Sequence, residues 1–435
     1  MLFRSILRAA NNLTYQMELV RTKAAPCFPP YWNVDTLWMT CVAAVCSQHI
    51  FEQIGGQEGN NLEYMTVTQL LDLVAWIESF REKVEHTFPN IVKINSVKKT
   101  KLRTVKELLA GKEVDMESAK ENLGSVINVL WDIHRLAQNQ FILRTQTQTT
   151  GWLKNVYNAD HAKTQTTEGR LTTSLPEDVW ALAGVQLRTI RERLTKKSTV
   201  LVDASSMVFR LMQLKQRETR GQFLVDLETC CAASNDFIRM TDQAEIVLTD
   251  LESATDLSNE NRGTLEDVAN ELMRQYSNDA VYAAQSVHKY VFQPIDEELA
   301  DHLFEEEWEK MGQSEMAQTL VRTIEDYMGD IDEWMESIMV RKAVDALIKA
   351  SINFYIRRLL LKAEKKGAKQ SSFTDNQRAL TQIGKDIDVI QGYFEGLVET
   401  FPALERVIES EFEVLRTILD LLVIAAGFEI GRAHV

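Results

Sequence analysis

The chain has 435 residues, 45% of them hydrophobic, and a formal net charge of -15. That apolar content supports a large core and excludes disorder as the state of the whole chain. The acidic balance argues against a general nucleic-acid binder, whose surface must neutralise phosphates.

Seven prolines and 18 glycines are few for this length. These residues punctuate strands and tight turns, so their scarcity reads as long helices. The cysteines (Cys27, Cys41, Cys46, Cys230 and Cys231) form no C-x-x-C pair and no disulfide framework. They read as buried free thiols in a reducing cytosol. The longest apolar stretches, Leu37–Cys46 and Leu421–Phe428, fall short of the ~20 residues that span a bilayer. Met1 opens a helix-like pattern with Arg4 and Arg8, but no signal-peptide core and cleavage site follow. A soluble, cytoplasmic protein is expected.

In chain order, the proline-rich "APCFPPYW" (Ala25–Trp32) separates a first helix from a second over Val34–Gln53. Phe28, Tyr31 and Trp32 read either as an exposed aromatic anchor or as a loop packed on its own helices. "IGGQEGNN" is a turn. An amphipathic helix is predicted over Met65–Thr87, with Leu70, Leu73, Val74, Ile77 and Phe80 on one face, and Pro89 ends it. The segment Ile91–Gly111 carries Lys93, Lys98, Lys99, Lys101, Arg103 and Lys106 and reads as a basic inserted loop.

A long helix follows over Met116–Tyr157, with Asp115 as its N-cap and a Thr/Gln tract near Thr145 weakening its far end. After a polar loop, Asn158–Ser174, Pro176 occupies a first-turn position with Glu177 and Asp178 behind it, as the helix dipole favours. Helices continue to Gln216, then over Phe223–Glu252 and Leu265–Val291, where Pro294 is expected to break the run. Further helices are expected over Asp296–Met311, Ser314–Lys366 with a kink near Gly329, Thr374–Glu399 and Ala403–Phe428. No strand alternation and no fixed-period repeat stands out. The fold class is all-α, in bundles of antiparallel helices.

"RKAVDALIKASINFYIRRLLLKAEKK" (Arg341–Lys366) is basic within an acidic chain. Val344, Leu347, Ile348, Ile352, Tyr355, Ile356 and Leu359 form one stripe at helical spacing, and the basic residues lie mainly off it. The acidic "IDEELADHLFEEEWEK" and "TIEDYMGDIDEWME" stand just upstream. The run therefore reads as a core wall whose charges are solvated or paired with that acidic neighbour. Contact of the run, Arg357 and Arg358 included, with a membrane or a nucleic acid is the competing reading.

Common catalytic signatures are absent. Gly111-Lys112 and Gly384-Lys385 lack the first glycine of a phosphate loop, and neither G-x-S-x-G nor H-E-x-x-H occurs. None of the seven histidines follows an acid at three residues' distance, so a Glu-x-x-His di-iron site is excluded. Acidic clusters such as Glu305-Glu306-Glu307 have no calcium-loop spacing. No enzyme, cofactor or metal site is expected; elongated helical scaffolds work through surfaces.

Three stretches carry a resemblance. "SLPEDVWALAGVQL" (Ser174–Leu187), preceded by "GWLKNVY" (Gly151–Tyr157), resembles the Leu-Pro helix start after a Trp-bearing helix end in exocyst complex component three, the Sec-six subunit. "TIEDYMGDIDEWM" (Thr323–Met335) is similar to that family's acidic-aromatic stretch, and "RKAVDALIKASINFYIRRLL" follows in the family's order. The resemblance covers Leu62–Phe428 and implies the C-terminal part of the subunit. It implies a rod of stacked antiparallel helical bundles and membership of an octameric complex that holds secretory vesicles at the plasma membrane before fusion. The implied partners are other exocyst subunits and SNARE proteins of the SNAP-25-like type, with peripheral contact to the anionic plasma membrane and none with nucleic acid. The family has no catalytic residues to carry over.

The expected domains are 1–60, completing an upstream bundle; 61–293, a helical bundle; 294–428, a C-terminal bundle; and 429–435, "EIGRAHV", a non-native tail. The candidate interaction residues are Lys98, Lys99, Lys101, Arg357, Arg358 and Trp32. An anionic-membrane-surface helical module, or a subunit of another helical-rod tether, is the alternative.

Overall fold

A computed structural model of the chain describes residues 2–54, 61–87, 116–194, 198–253, 256–310, 314–364 and 373–432. The helices are α1 (Leu2–Leu19), α2 (Val34–Ile54), α3 (Val67–Thr87), α4 (Met116–Tyr157), α5 (Leu175–Arg193), α6 (Thr199–Thr219), α7 (Leu227–Ser253), α8 (Asn259–Ser286), α9 (His288–Leu299), α10 (Glu306–Lys310), α11 (Glu315–Trp334), α12 (Ser337–Glu364), α13 (Asn376–Gly396) and α14 (Glu405–Arg432). Between α4 and α5 the two-residue strands β1 (Thr164–Gln165) and β2 (Leu171–Thr172) pair antiparallel, Thr164 opposite Thr172. This hairpin is a departure from the loop expected there.

Local chemistry sets several helix starts. At α3, Thr66 Oγ1 accepts the Gln69 N–H at 3.2 Å while Gln69 Oε1 accepts the Thr66 N–H at 2.8 Å, a reciprocal capping box. At α7 the same exchange joins Asp226 and Thr229, at 2.7 and 2.9 Å. The Asp375 carboxylate caps α13 by accepting the Arg378 N–H at 3.0 Å. Glu177 and Asp178 stand in the first turn of α5, where the backbone N–H groups favour negative charge.

Two expected breaks lie elsewhere, and one expected helix is divided. Pro294 falls inside α9, so the domain cut expected at 293/294 would divide a helix. The interruption comes at Val287; beyond it, burial of Val291, Phe292, Ile295 and Leu299 outweighs the one backbone hydrogen bond that proline removes. Gly329 lies within a continuous α11, and the break comes at Met335–Glu336, between α11 and α12. The helix expected over Asp296–Met311 is divided between α9 and α10. Phe304, between them, holds a left-handed φ of 67° with its ring fully buried. The rings of Trp308 and Tyr355 meet it edge-on at 5.0 Å each, so packing offsets the backbone strain.

Contacts divide the chain into two compact units. One is formed by 1–156, 179–214 and 245–271, the other by 157–178, 215–244 and 272–435. The core of the first includes Leu70, Val74, Ile77 and Phe80 of α3, Leu123, Val126, Leu130 and Phe141 of α4, and Val208, Phe209 and Met212 of α6, all buried. The second holds the C-terminal helices, with Val344, Leu347, Ile348, Ile352 and Tyr355 of α12 buried together with Ile383, Ile387 and Phe394 of α13 and Phe412 of α14. Each fully buried side chain of this size contributes about 1.5–3 kcal/mol relative to exposure, so these stripes dominate the stability of either unit.

Candidate functional site

The basic helix α12 is a core wall. Its predicted stripe is buried apart from Ile356, which is half-buried. Two of its cations reach the acidic segment upstream. Arg358 Nη2 donates to Asp296 Oδ1 at 2.5 Å, with its guanidinium 5.5 Å from the Phe354 ring centroid. Lys362, itself buried, donates to Glu305 Oε2 at 3.3 Å and lies 5.7 Å from the Phe373 ring. Lys349 pairs within its own helix with Asp345, at 3.3 Å. Arg357 is exposed and makes no ion pair among the described residues. Adjacent arginines thus have different employment: Arg358 ties α12 to α9, and Arg357 faces solvent.

Trp32 is 53% exposed. It stacks on Phe28 at 5.7 Å and meets the edge of Tyr31 at 6.4 Å, and both of those rings are also exposed. Lys98, Lys99 and Lys101, with the segment Ile91–Gly111, lie outside the described residues, as do 433–435 of the expected tail.

Sequence reasoning missed a group of buried polar side chains on α7: Ser234, Asn235 and Asp236, each no more than 1% exposed. Ser234 Oγ donates to Ala280 O at 3.1 Å. Asn235 Nδ2 donates to Leu171 O and Trp334 O, both at 2.8 Å, and its Oδ1 accepts the Glu336 N–H at 2.9 Å. Asp236 accepts the Thr173 N–H at 3.0 Å and the Thr173 hydroxyl at 2.6 Å. Burial pushes the Asp236 carboxyl up to about 7, against the pull of those hydrogen bonds. The available signal was the polar triplet "SND" between the apolar "CCAA" and "FI" in one helical run. Polar residues there must either face water or be paired inside, and one sequence does not say which.

The hairpin is strapped to the α11–α12 joint from the same side. Arg170 donates to the carbonyls of Asp332 and Glu333, and Gln165 Nε2 donates to Glu333 Oε1 at 3.0 Å. Gly169, in the hairpin turn, has φ +89°, and a Cβ there would stand 3.3 Å from Glu333 Cγ, so both conformation and space call for glycine. A second buried carboxylate, Asp386, accepts from Trp308 Nε1 and from the Tyr355 hydroxyl at 2.9 Å each, and from Gln382 Nε2 at 3.0 Å. A third, Asp279, accepts from Arg220 at 3.0 Å and Gln275 at 2.9 Å.

One constellation invites a catalytic reading. A cavity of about 210 Å3 is lined by His161, Thr173, Leu175, Phe223 and Asp236 among others. His161 Nδ1 lies 3.1 Å from Ser174 Oγ and 3.5 Å from Asp178 Oδ2. A nucleophile relay needs the serine on one ring nitrogen and the carboxylate on the other. Here both face Nδ1, and the Ser174 hydroxyl donates to Asp178 at 2.9 Å. The group is a helix-start network, not a triad. Among the described residues no group of three His, Cys, Asp or Glu side chains is placed to hold a metal ion, and no helix is long and apolar enough to cross a membrane.

Among the described residues, then, buried polar groups tie helices together, while Arg357 and the aromatic cluster at Trp32 face solvent. Comparison with known proteins identifies the family. Residues 4–426 match the family model described as exocyst complex component Sec6, and the chain belongs to that family. It is accordingly a subunit of the exocyst tethering complex, with other exocyst subunits as partners. Among solved structures it is similar to the crystal structure of the C-terminal domain of the exocyst subunit Sec6p. The TM-score is 0.54 and the identity 13%, covering 66% of this chain and 78% of that one. Identity at that level speaks to the fold alone.

Proposed function

We propose that the chain corresponds to the C-terminal part of the exocyst component-three subunit. In this reading it acts without chemistry of its own, helping to dock secretory vesicles at the plasma membrane before SNARE-mediated fusion. The observation that carries the proposal is family membership over almost the whole chain, joined to a helical fold whose buried polar groups serve packing. The chain acts in the cytoplasm, peripherally at sites of exocytosis. It presents docking surfaces to exocyst subunits and to SNAP-25-like SNARE proteins, on the rod that the family resemblance implies. Arg357 and the exposed Trp32 belong to such surfaces; Lys98, Lys99 and Lys101 are proposed with them from charge alone.

Affinity isolation of the tagged chain against the remaining exocyst subunits and purified SNAP-25-like SNARE protein tests the proposal. Recovery of exocyst subunits together with direct capture of the SNARE supports it; recovery of neither overturns it. For the rod, solution scattering should give a radius of gyration clearly above the roughly 22 Å of a compact chain of this length. Direct lipid contact is tested by flotation with anionic vesicles, which should weaken steeply with salt and on neutralising Lys98, Lys99 and Lys101.

A further inference from the structure

Between α9 and α12 lies an open groove of about 1070 Å3. That is just above the roughly 300–1,000 Å3 typical of small-molecule pockets, and the groove is not enclosed. The edges of Phe292 and Phe354, ring centroids 6.0 Å apart and residues only 7% and 6% exposed, line its base, and Ala346 and Ala350 keep the α12 side shallow. Lys289 stands on the α9 side and Arg357 on the α12 side, both exposed and neither in an ion pair among the described residues. Asp296, which also lines the groove, is already engaged by Arg358 at 2.5 Å. Glu297 accepts from Gln293 at 3.2 Å. The groove thus offers two cations outside any ion pair, with the carboxylate of Glu297 also on its rim, in a chain whose net charge is -15.

We propose that this groove docks an amphipathic helix from a partner protein, with apolar residues directed at the Phe292–Phe354 floor and carboxylates directed at Lys289 and Arg357. This rests on the partner-docking function above and names the chemistry of one partner segment. Helix-in-groove recognition uses an apolar seam read at helical spacing, with charges on the rim selecting the partner. The mixed rim favours a peptide over a lipid surface. Glu297 and Asp296 oppose a continuous sheet of phosphates, whereas a helix places its carboxylates only where Lys289 and Arg357 await them.

The test is fluorescence anisotropy on the whole chain. The probe is a labelled synthetic helix with leucine on one face and glutamate on its flanks; the control has every glutamate replaced by lysine. The glutamate helix should bind saturably and the lysine helix much more weakly. The pair Lys289→Glu and Arg357→Glu should weaken the glutamate helix by about tenfold or more and favour the lysine helix. Ala350→Trp should weaken both by filling the groove, with far-UV circular dichroism unchanged.

Absence of saturable binding, equal affinity for the two helices, or indifference to these substitutions would overturn the proposal. So would anionic vesicles binding through Lys289 and Arg357 while neither helix binds. If the substituted chain still recovers exocyst subunits while the wild-type groove binds no helix, the groove proposal falls and the tethering function stands.

Discussion

The Asn235 side chain accepts the backbone N–H of Glu336 at 2.9 Å, across 101 positions of sequence. With its two donated bonds to Leu171 O and Trp334 O, Asn235 joins α7, the hairpin and the end of α11 through one amide. The break between α11 and α12 forms where this amide supplies partners for backbone groups that the helices no longer satisfy.

Asn235→Ala should therefore destabilise the chain by about 2 kcal/mol, because three half-buried backbone groups lose their partner. Urea unfolding measures the loss, and hydrogen exchange locates it. The Glu336 amide should exchange faster, whereas the Thr66–Gln69 capping box should be unmoved. A uniform rise in exchange throughout would contradict the local role.

Asp236 makes stability depend on pH. Its folded-state carboxyl titrates at about 7, above the ordinary 3.8 of an unfolded aspartate. The native state then holds the extra proton between those values, so this residue's contribution to stability falls as pH rises from about 4 to about 7. Asp236→Asn should remove that slope, leaving the variant more stable relative to wild type at pH 8 than at pH 5. The expected difference is on the order of a few kcal/mol. Parallel pH–stability curves for the two proteins would refute the assignment.

The neighbouring arginines should separate cleanly. Arg358→Ala loses the Asp296 pair and the contact with Phe354; with the two charged side chains 18% and 45% exposed, the cost is about 1 kcal/mol. Arg357→Ala should change stability by less than about 0.5 kcal/mol. Equal losses in denaturant unfolding would mean that the pairing drawn for Arg358 carries no stability.

Thiol reactivity should follow burial. Cys27 is exposed, whereas Cys46, Cys230 and Cys231 are buried. Burial pushes the Cys46 thiol up to about 11 and the Cys230 thiol up to about 12, and raises Cys231 as well. Iodoacetamide at pH 8 should label Cys27 in the native chain and reach the three buried thiols only on unfolding, as peptide mass mapping will show. Rapid native labelling at Cys230 would contradict the packing of α7.

Much of the fold was legible before the structure. Helix α4 begins and ends at the residues its periodicity and flanking loops predicted, and its Thr/Gln tract stays helical. The stripe of α12 is buried as its spacing implied, and the acidic segment upstream does supply Asp296 and Glu305. Other features were not legible. Pro294 and Gly329 are strong local break signals, yet both sit inside helices, because buried apolar neighbours outweigh one lost hydrogen bond or a weak propensity. Of the candidate surface residues, Arg357 and Arg358 differ by a single position and are alike in composition; only packing against α9 assigns one to the interior contact and the other to solvent.

By itself, the amino-acid order determined that the chain is helical, which face of each long helix avoids water, and which family it resembles. Apolar periodicity and short capping motifs are local, and a chain reveals them one turn at a time. Tertiary structure alone decided where the helices break, which buried carboxylates find donors, and that a groove opens between α9 and α12. Those outcomes depend on hydrogen bonds and ring contacts between residues many tens of positions apart. Which partners meet is set by the competition of all buried groups for satisfaction at once.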